Sequence, residues 1–200
     1  MSVLVTRKAP DFTAPAVLAN GEIAEFNLET ALKGKYGLIF FYPLDFTFVC
    51  PSELIALDHR IKEFQQRHVE VIAVSIDSQF THNAYRQTPV KQGGIGPVHF
   101  TMVADITHSI CQAYGVEHPA AGVALRGAFI IDKTGVVRSQ IVNDLPIGRN
   151  IDELLRIIDA MQFFEEHGEV CPAGWEKGKA GMKASAQGVA DYLSNHSDEL

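Results

Sequence analysis

Three cysteines, Cys50, Cys111 and Cys171, are the residues of this 200-residue chain most able to do chemistry. A low, odd count with no Cys-x-x-Cys pair argues against a disulfide framework, leaving metal binding, catalysis or inert burial for each thiol. Cys50 has the most informative neighbours, in Pro43-Leu44-Asp45-Phe46-Thr47-Phe48-Val49-Cys50-Pro51-Ser52-Glu53. Proline suits the first position of a helix, where its missing amide hydrogen would have had no partner. Cys50 is therefore expected at or beside a helix N-cap, where free amides and the positive end of the helix dipole favour a thiolate. Thr47, three residues earlier, supplies a hydroxyl that both donates and accepts, suited to holding an attacked oxygen in line with the sulfur. Pro43 is placed to shield the thiolate from water. A cationic partner is also expected, and Arg126 in Leu125-Arg126-Gly127-Ala128-Phe129 is a candidate. Its position at the start of an apolar strand reads equally as a strand-edge surface charge.

These residues need a framework, and hydrophobic periodicity outlines one. Residues 36–42 form an apolar run without alternation, as in a strand buried on both faces, and Pro43 ends it. A helix is expected over 51–66, with Leu54, Leu57, Ile61 and Phe64 on one face. A second buried strand spans 69–76, a helix 79–87, a glycine turn 93–97 and a short strand 100–104. A helix follows over 106–114 with Asp105 as N-cap. Residues 127–132 and 136–142 read as a hairpin turning at Lys133-Thr134-Gly135. A long helix covers 151–166, with Leu154, Leu155, Ile158, Met161 and Phe163 or Phe164 facing inward. After Gly168 the pattern weakens into a glycine-rich segment with few large apolar residues, read as an arm that is either mobile or docked on a partner. The expected organisation is α/β: a thioredoxin-like domain at 1–168, with a central mixed sheet flanked by helices, and a C-terminal arm at 169–200.

Composition narrows the function classes. The net charge is −7 and there is no basic run, so nucleic acid is a poor partner. The 46% hydrophobic and 20% charged content is ordinary for a soluble domain. No apolar run is long enough to span a bilayer, and the N-terminal apolar stretch is too short for a signal-peptide core, so a cytoplasmic location is expected. The terminal Ser197-Asp198-Glu199-Leu200 is similar to an ER-retention signal, but without a signal peptide it would not be read.

Pro43-x-x-x-Thr47-x-x-Cys50 resembles the active-site signature of peroxiredoxins. Ala9-Pro10-Asp11-Phe12, Arg126-Gly127-Ala128-Phe129, Asp144-Leu145-Pro146-Ile147-Gly148-Arg149 and Val170-Cys171-Pro172-Ala173-Gly174-Trp175 extend the resemblance over nearly the whole chain. Together they resemble the typical two-cysteine group, of the alkyl hydroperoxide reductase C type. The resemblance implies a peroxidatic Cys50, a peroxide pocket completed by Thr47, Pro43 and Arg126, and Glu53 and Arg149 orienting Arg126. Taken alone, Glu53 is an ordinary first-turn acid of a helix. Cys171 would be the resolving cysteine, condensing with the Cys50 sulfenic acid of the partner subunit. A hydroperoxide substrate, a dithiol protein reductant (thioredoxin or a dedicated flavoprotein reductase), a homodimer and a ring of five dimers follow from the same resemblance, with no metal or other cofactor. Gly93-Gly94-Ile95-Gly96 resembles the Gly-Gly-Leu-Gly loop of members prone to overoxidation. The Tyr-Phe pair that accompanies that loop appears here as Tyr192-Leu193, one ring short, which implies intermediate sensitivity.

Cys111, in Ser109-Ile110-Cys111-Gln112, matches no catalytic motif and reads as a buried structural thiol. A thiol–disulfide oxidoreductase would need Cys-x-x-Cys. A cysteine hydrolase would need a base beside Cys50, and none of the eight histidines stands in a motif that provides one. Scattered cysteines make a zinc site weak. Residues 93–96 lack the lysine of a phosphate loop. A chaperone or peroxide-relay role remains the rival from another class.

Overall fold

A computed structural model describes residues 3–200, apart from the side chain of residue 199. Met1 and Ser2, part of the N-terminal reading above, lie outside the described residues. In chain order the elements are β1 (Thr13–Val17), β2 (Ile23–Asn27), α1 (Leu28–Ala31), β3 (Tyr36–Phe41), α2 (Cys50–His59), α3 (Ile61–Gln66), β4 (Val69–Ser75), α4 (Gln79–Gln87), β5 (Thr101–Ala104), α5 (Ser109–Ala113), β6 (Arg126–Ile131), β7 (Val137–Asn143), α6 (Ile151–His167) and α7 (Ala186–His196).

The strands form one seven-stranded sheet in the order β2-β1-β5-β4-β3-β6-β7. β3, β4 and β5 run parallel, while β1, β2, β6 and β7 add antiparallel ladders, so the sheet is mixed as expected. Every residue of β3 and β6 is buried, which is why both read as apolar runs rather than alternating strands. Phe41, Tyr114 and Phe129 pack edge to face or tilted at 5.0–5.8 Å on one side of this sheet.

Several elements differ from expectation. The single helix expected at 51–66 is two, α2 and α3, broken at Arg60. The apolar spacing runs on through the break, so periodicity alone could not show it. α5 begins at Ser109, later than expected, because His108 takes a left-handed φ of 60°. Asp105 still caps the turn: its two carboxylate oxygens accept from the amides of Ile110 and Cys111 at 3.0 and 2.8 Å. The N-terminal hairpin β1–β2 carried too few large apolar residues to be noticed.

By contact density the chain divides into two compact units, residues 1–151 and 152–200. The second unit holds all of α6 but its first residue. Within the second unit, the segment after Gly168 packs on α6. Trp175 is 2% exposed and lies 4.9 Å from the Phe163 ring of α6. Its Nε1–H donates to the Lys179 carbonyl, and Arg156 donates to the Trp175 carbonyl at 2.8 Å. A bridge pairs Val170 with Met182. One large aromatic anchor does the work that scattered small residues could not.

Candidate active site

Cys50 is the first residue of α2, with Pro51 in the first turn, and it is fully buried. The loop that leads to it leaves the C-terminal end of β3 and passes through Phe46 at φ 53°, a costly conformation for a residue with a large side chain. The Phe46 ring rests on Tyr85, with centroids 4.6 Å apart, which helps hold the bend. The Thr47 hydroxyl lies 3.0 Å from Cys50 Sγ and 2.8 Å from the Leu44 carbonyl oxygen. It has one hydrogen for two acceptors, so it can turn between them.

Arg126 reaches the same sulfur from the neighbouring strand. β6 is antiparallel to β3, with Ala128 opposite Phe40, and the continued register sets Arg126 level with the start of the Cys50 loop. Its Nη1 donates to Glu53 Oε2 at 2.7 Å and lies 3.5 Å from Cys50 Sγ, while Nε donates to the Leu145 carbonyl at 2.6 Å. Its position is thus a buried one, not the exposed strand edge that spacing alone allowed. Glu53 is gripped from two sides. Arg149 gives it a backbone amide at 2.7 Å, Nε at 2.9 Å and Nη2 at 3.0 Å, and spends Nη1 on the Gly127 carbonyl. The Arg149 guanidinium carbon sits 3.3 Å from the centroid of the Phe40 ring, so β3 supports it as well. Burial pushes the Glu53 carboxyl up, but the hydrogen bonds and charge of Arg149, with the charge of Arg126, hold it below its usual value. Pro43 lies in the same loop and is buried. Pro43, Thr47, Cys50, Glu53, Arg126 and Arg149 all belong to the first unit, and the last five form one connected cluster.

A second network was not foreseen. Asp45, in the same loop, accepts from the Tyr42 hydroxyl at 2.7 Å and faces His82 Nδ1 of α4 at 2.7 Å. His82 Nε2 lies 3.1 Å from the Val103 carbonyl, an acceptor, so this nitrogen carries a hydrogen. The Asp45 amide donates to Asp77, which also accepts from Ser75. Asp45 is thereby tied to α4 and, through Asp77, to the end of β4. Burial raises its pKa, opposed by the hydrogen bond and charge of His82. The partners lie 32 to 37 positions apart, and nothing local in the sequence announces the pairing.

The remaining predicted residues lie elsewhere. Gly93, Gly94, Ile95 and Gly96 fold back on the C-terminal end of α4: the amides of Ile95 and Gly96 donate to the carbonyls of Tyr85 and Thr88. A Cβ on Gly94 would overlap the Thr88 carbonyl oxygen, so this loop requires glycine there. In the second unit, Tyr192 and Leu193 lie on α7, and the Tyr192 ring packs on His196 at 4.6 Å. Cys171 is partly exposed, and its Sγ lies 3.4 Å from the Ala160 carbonyl oxygen of α6. Burial raises the Cys171 thiol, and the Arg156 charge opposes that rise. Cys111 is 1% exposed, in keeping with a structural thiol, and burial with the nearby Asp105 pushes it up to about 12. Among the described residues, no helix is long and apolar enough to cross a membrane.

Comparison with known proteins agrees with this arrangement. Residues 5–140 match the AhpC/TSA family, and residues 160–195 match the C-terminal domain of 1-Cys peroxiredoxin. Alkyl hydroperoxide reductase C of Helicobacter pylori (strain ATCC 700392 / 26695) is 58% identical over 199 residues, covering 99% of this chain and 100% of the relative. Peroxiredoxin-2 of Mus musculus is 50% identical over 192 residues, 96% of each chain. The structure of reduced 2-Cys peroxiredoxin from Plasmodium vivax superposes with a TM-score of 0.93 at 49% identity, covering 96% of this chain and 100% of that one. With the sheet, the Cys50 cluster and these matches in agreement, the chain belongs to the AhpC/TSA family, the peroxiredoxins.

Proposed function

We propose that this protein is a thiol-dependent peroxidase that reduces hydrogen peroxide and organic hydroperoxides at Cys50. The observation that carries the reading is the convergence of the Thr47 hydroxyl and Arg126 Nη1 on one fully buried sulfur, at 3.0 and 3.5 Å. Two guanidiniums share the single Glu53 carboxylate there. The positive charge left over is the one a Cys50 thiolate neutralises. That thiolate attacks one oxygen of ROOH. A sulfur–oxygen bond forms, the O–O bond breaks, and the leaving RO⁻ takes a proton to become ROH or water. Thr47 and Arg126 act as donors that hold the peroxide in line and stabilise charge on the oxygens as they separate. Pro43 limits access of water. Glu53 and Arg149 hold Arg126 in place.

Cys50 is left as sulfenic acid. The thiol of the partner subunit's Cys171 attacks it, forming a disulfide and releasing water, and a dithiol protein then returns both sulfurs to thiols. A disulfide needs Cα atoms within about 7 Å. Cys50 is sealed at a helix start, so that start must unwind before the bond forms. The strained Phe46 lies beside the segment that has to open. A homodimer, further assembled into a ring, accords with the large exposed rings of Phe48 (95%) and Phe80 (67%). A cytoplasmic location and a reductant of the thioredoxin or flavoprotein-reductase kind belong to the same reading. So does a role for the 93–96 loop and for Tyr192 and Leu193 in setting sensitivity to overoxidation. Deleting residues 190–200 should then lower the sulfinic acid yield, and an unchanged yield would remove that role.

Trp175 is the single tryptophan, and it stands four residues after Cys171. Rapid mixing of the reduced protein with hydrogen peroxide should change its fluorescence at a rate that grows with peroxide concentration, and Cys50→Ser should abolish the change. Cys171→Ser should consume one equivalent of peroxide and stall. Silence in the parent protein, with Cys50 recovered as a free thiol, would refute the peroxidase reading.

A further inference from the structure

Away from the Cys50 pocket, one cluster of ligand-type side chains has no part in the peroxide chemistry. His108 and Cys111 stand three residues apart at the start of α5, and Glu117 begins the short bridge that pairs it with Ala124. His108 Nδ1 and Glu117 Oε1 are 2.7 Å apart, Cys111 Sγ lies 3.3 Å from the His108 carbonyl oxygen, and the three ligand atoms fall within 4.8 Å of one another. A tetrahedral ion bonded at about 2.0–2.3 Å sets its ligand atoms roughly 3.5 Å apart. The separations here need only side-chain adjustment to reach that spacing.

The surroundings match such a centre. Cys111 is buried, while the side chains of His108 and Glu117 are 27% and 30% exposed, so the cluster has a sulfur at its floor and two ligands at its mouth. An ion can enter from solvent and retain a water as fourth ligand. His108 is held at φ 60°, a strained backbone for a non-glycine residue, and this is the conformation in which its imidazole reaches Glu117. Asp105 fixes the first turn of α5 through the Ile110 and Cys111 amides and so steadies the thiol from behind. His118 is engaged elsewhere, its Nδ1 accepting from the amides of Ala120 and Ala121. A thiolate, a carboxylate and a neutral imidazole cancel the charge of a divalent cation, so the filled site adds no net charge beside buried Cys111. Among the described residues, the other group of ligand types, Asp45, Asp77 and His82, is already engaged in the network with Tyr42, Ser75 and Val103.

We propose that His108 Nδ1, Cys111 Sγ and the Glu117 carboxylate form a zinc-type divalent cation site with an open fourth position. Binding replaces the Cys111 S–H bond with a metal–sulfur bond and releases that proton to solvent, while the imidazole carries its hydrogen on Nε2. Affinity therefore falls as pH falls. The proposal stands independently of the peroxidase reading, since it uses none of the residues of the Cys50 pocket.

The test uses Co²⁺ on the full chain carrying Cys50→Ser and Cys171→Ser, which leaves Cys111 as the sole thiol. One equivalent should produce thiolate-to-cobalt charge-transfer absorption that excess Zn²⁺ bleaches. Cys111→Ser should remove the band. His108→Ala and Glu117→Gln, both at partly exposed positions, should each weaken cobalt binding by at least the roughly tenfold typical of losing even an outer-shell partner. Absence of the band, or unchanged affinity in either of those two variants, overturns the assignment.

Discussion

Cys50 and Cys171 are the same functional group in opposite settings. Cys50 is sealed, at the start of a helix, with a hydroxyl and a guanidinium directed at its sulfur. Cys171 is partly exposed, its thiol near a single backbone carbonyl and its pKa raised by burial against the opposing charge of Arg156. One sulfur faces a hydroxyl and a guanidinium, and the other faces a carbonyl oxygen and is held as a thiol by burial. The difference teaches that reactivity here is set by what faces the sulfur more than by how open it is to solvent.

Removing the donor side of that contrast should have the largest effect. Arg126→Met takes away the guanidinium facing Cys50 and is expected to slow sulfenic acid formation about 10²- to 10³-fold, by analogy with the loss of one preorganised donor. Stopped-flow peroxide consumption reads this directly, and a rate within a factor of a few of the parent would mean that Arg126 holds Glu53 without acting on the peroxide.

A second variant separates support from chemistry. Glu53→Gln leaves two buried guanidiniums around a neutral amide, and about 3–5 kcal/mol of stability should be lost, as when a buried ion pair is broken. The folded Glu53 carboxyl lies below its usual value of 4.5, so its contribution is present above that pH and is lost as pH falls through the folded value. Urea midpoints should therefore fall on acidification below about pH 4.5 in the parent, and less steeply in Glu53→Gln. Parallel curves would show that the carboxylate does not carry the acid sensitivity.

The smallest effect should fall on the Cys171 side. With its thiol above the usual 9.0, disulfide formation should speed up with rising pH through the neutral range, by up to about tenfold per unit. Arg156→Ala removes the opposing charge and should slow resolution a few-fold near neutrality, while Arg156→Lys keeps most of the rate. Because Arg156 also binds Glu153 and the Trp175 carbonyl, equal loss in both variants would assign the residue to packing alone.

The parts legible in sequence were those written in neighbouring residues. The apolar run of β3 and the Val/Ile-rich β4, interrupted only by Glu70 before Ser75, announced buried strands, and Pro51 announced the helix that Cys50 opens. Arg126 was legible as a candidate and ambiguous as a charge. Only the antiparallel pairing of β6 with β3 resolves it, because that pairing brings position 126 beside the loop after Phe41. Asp45 and His82 were invisible for the same reason: each is an ordinary polar residue until the fold sets them 2.7 Å apart. The N-terminal hairpin failed for a different reason. β1 is made mostly of small residues and carries Pro15, and the five residues of β2 show no period-2 alternation, which weakens the usual strand signal.

The Cys50 cluster draws on positions 47, 50, 53, 126 and 149. A chain emerging from a ribosome at roughly 5–20 residues per second exposes Cys50 several seconds before Arg126 and Arg149 exist. Through that interval the cysteine is an unarmed thiol on an unfinished sheet. Thr47 is already at hand, but the guanidinium donor arrives only when β6 closes against β3 and Arg149 locks on Glu53. The guanidinium side of the cluster is thus among the last parts of the first unit to become available to the sulfur.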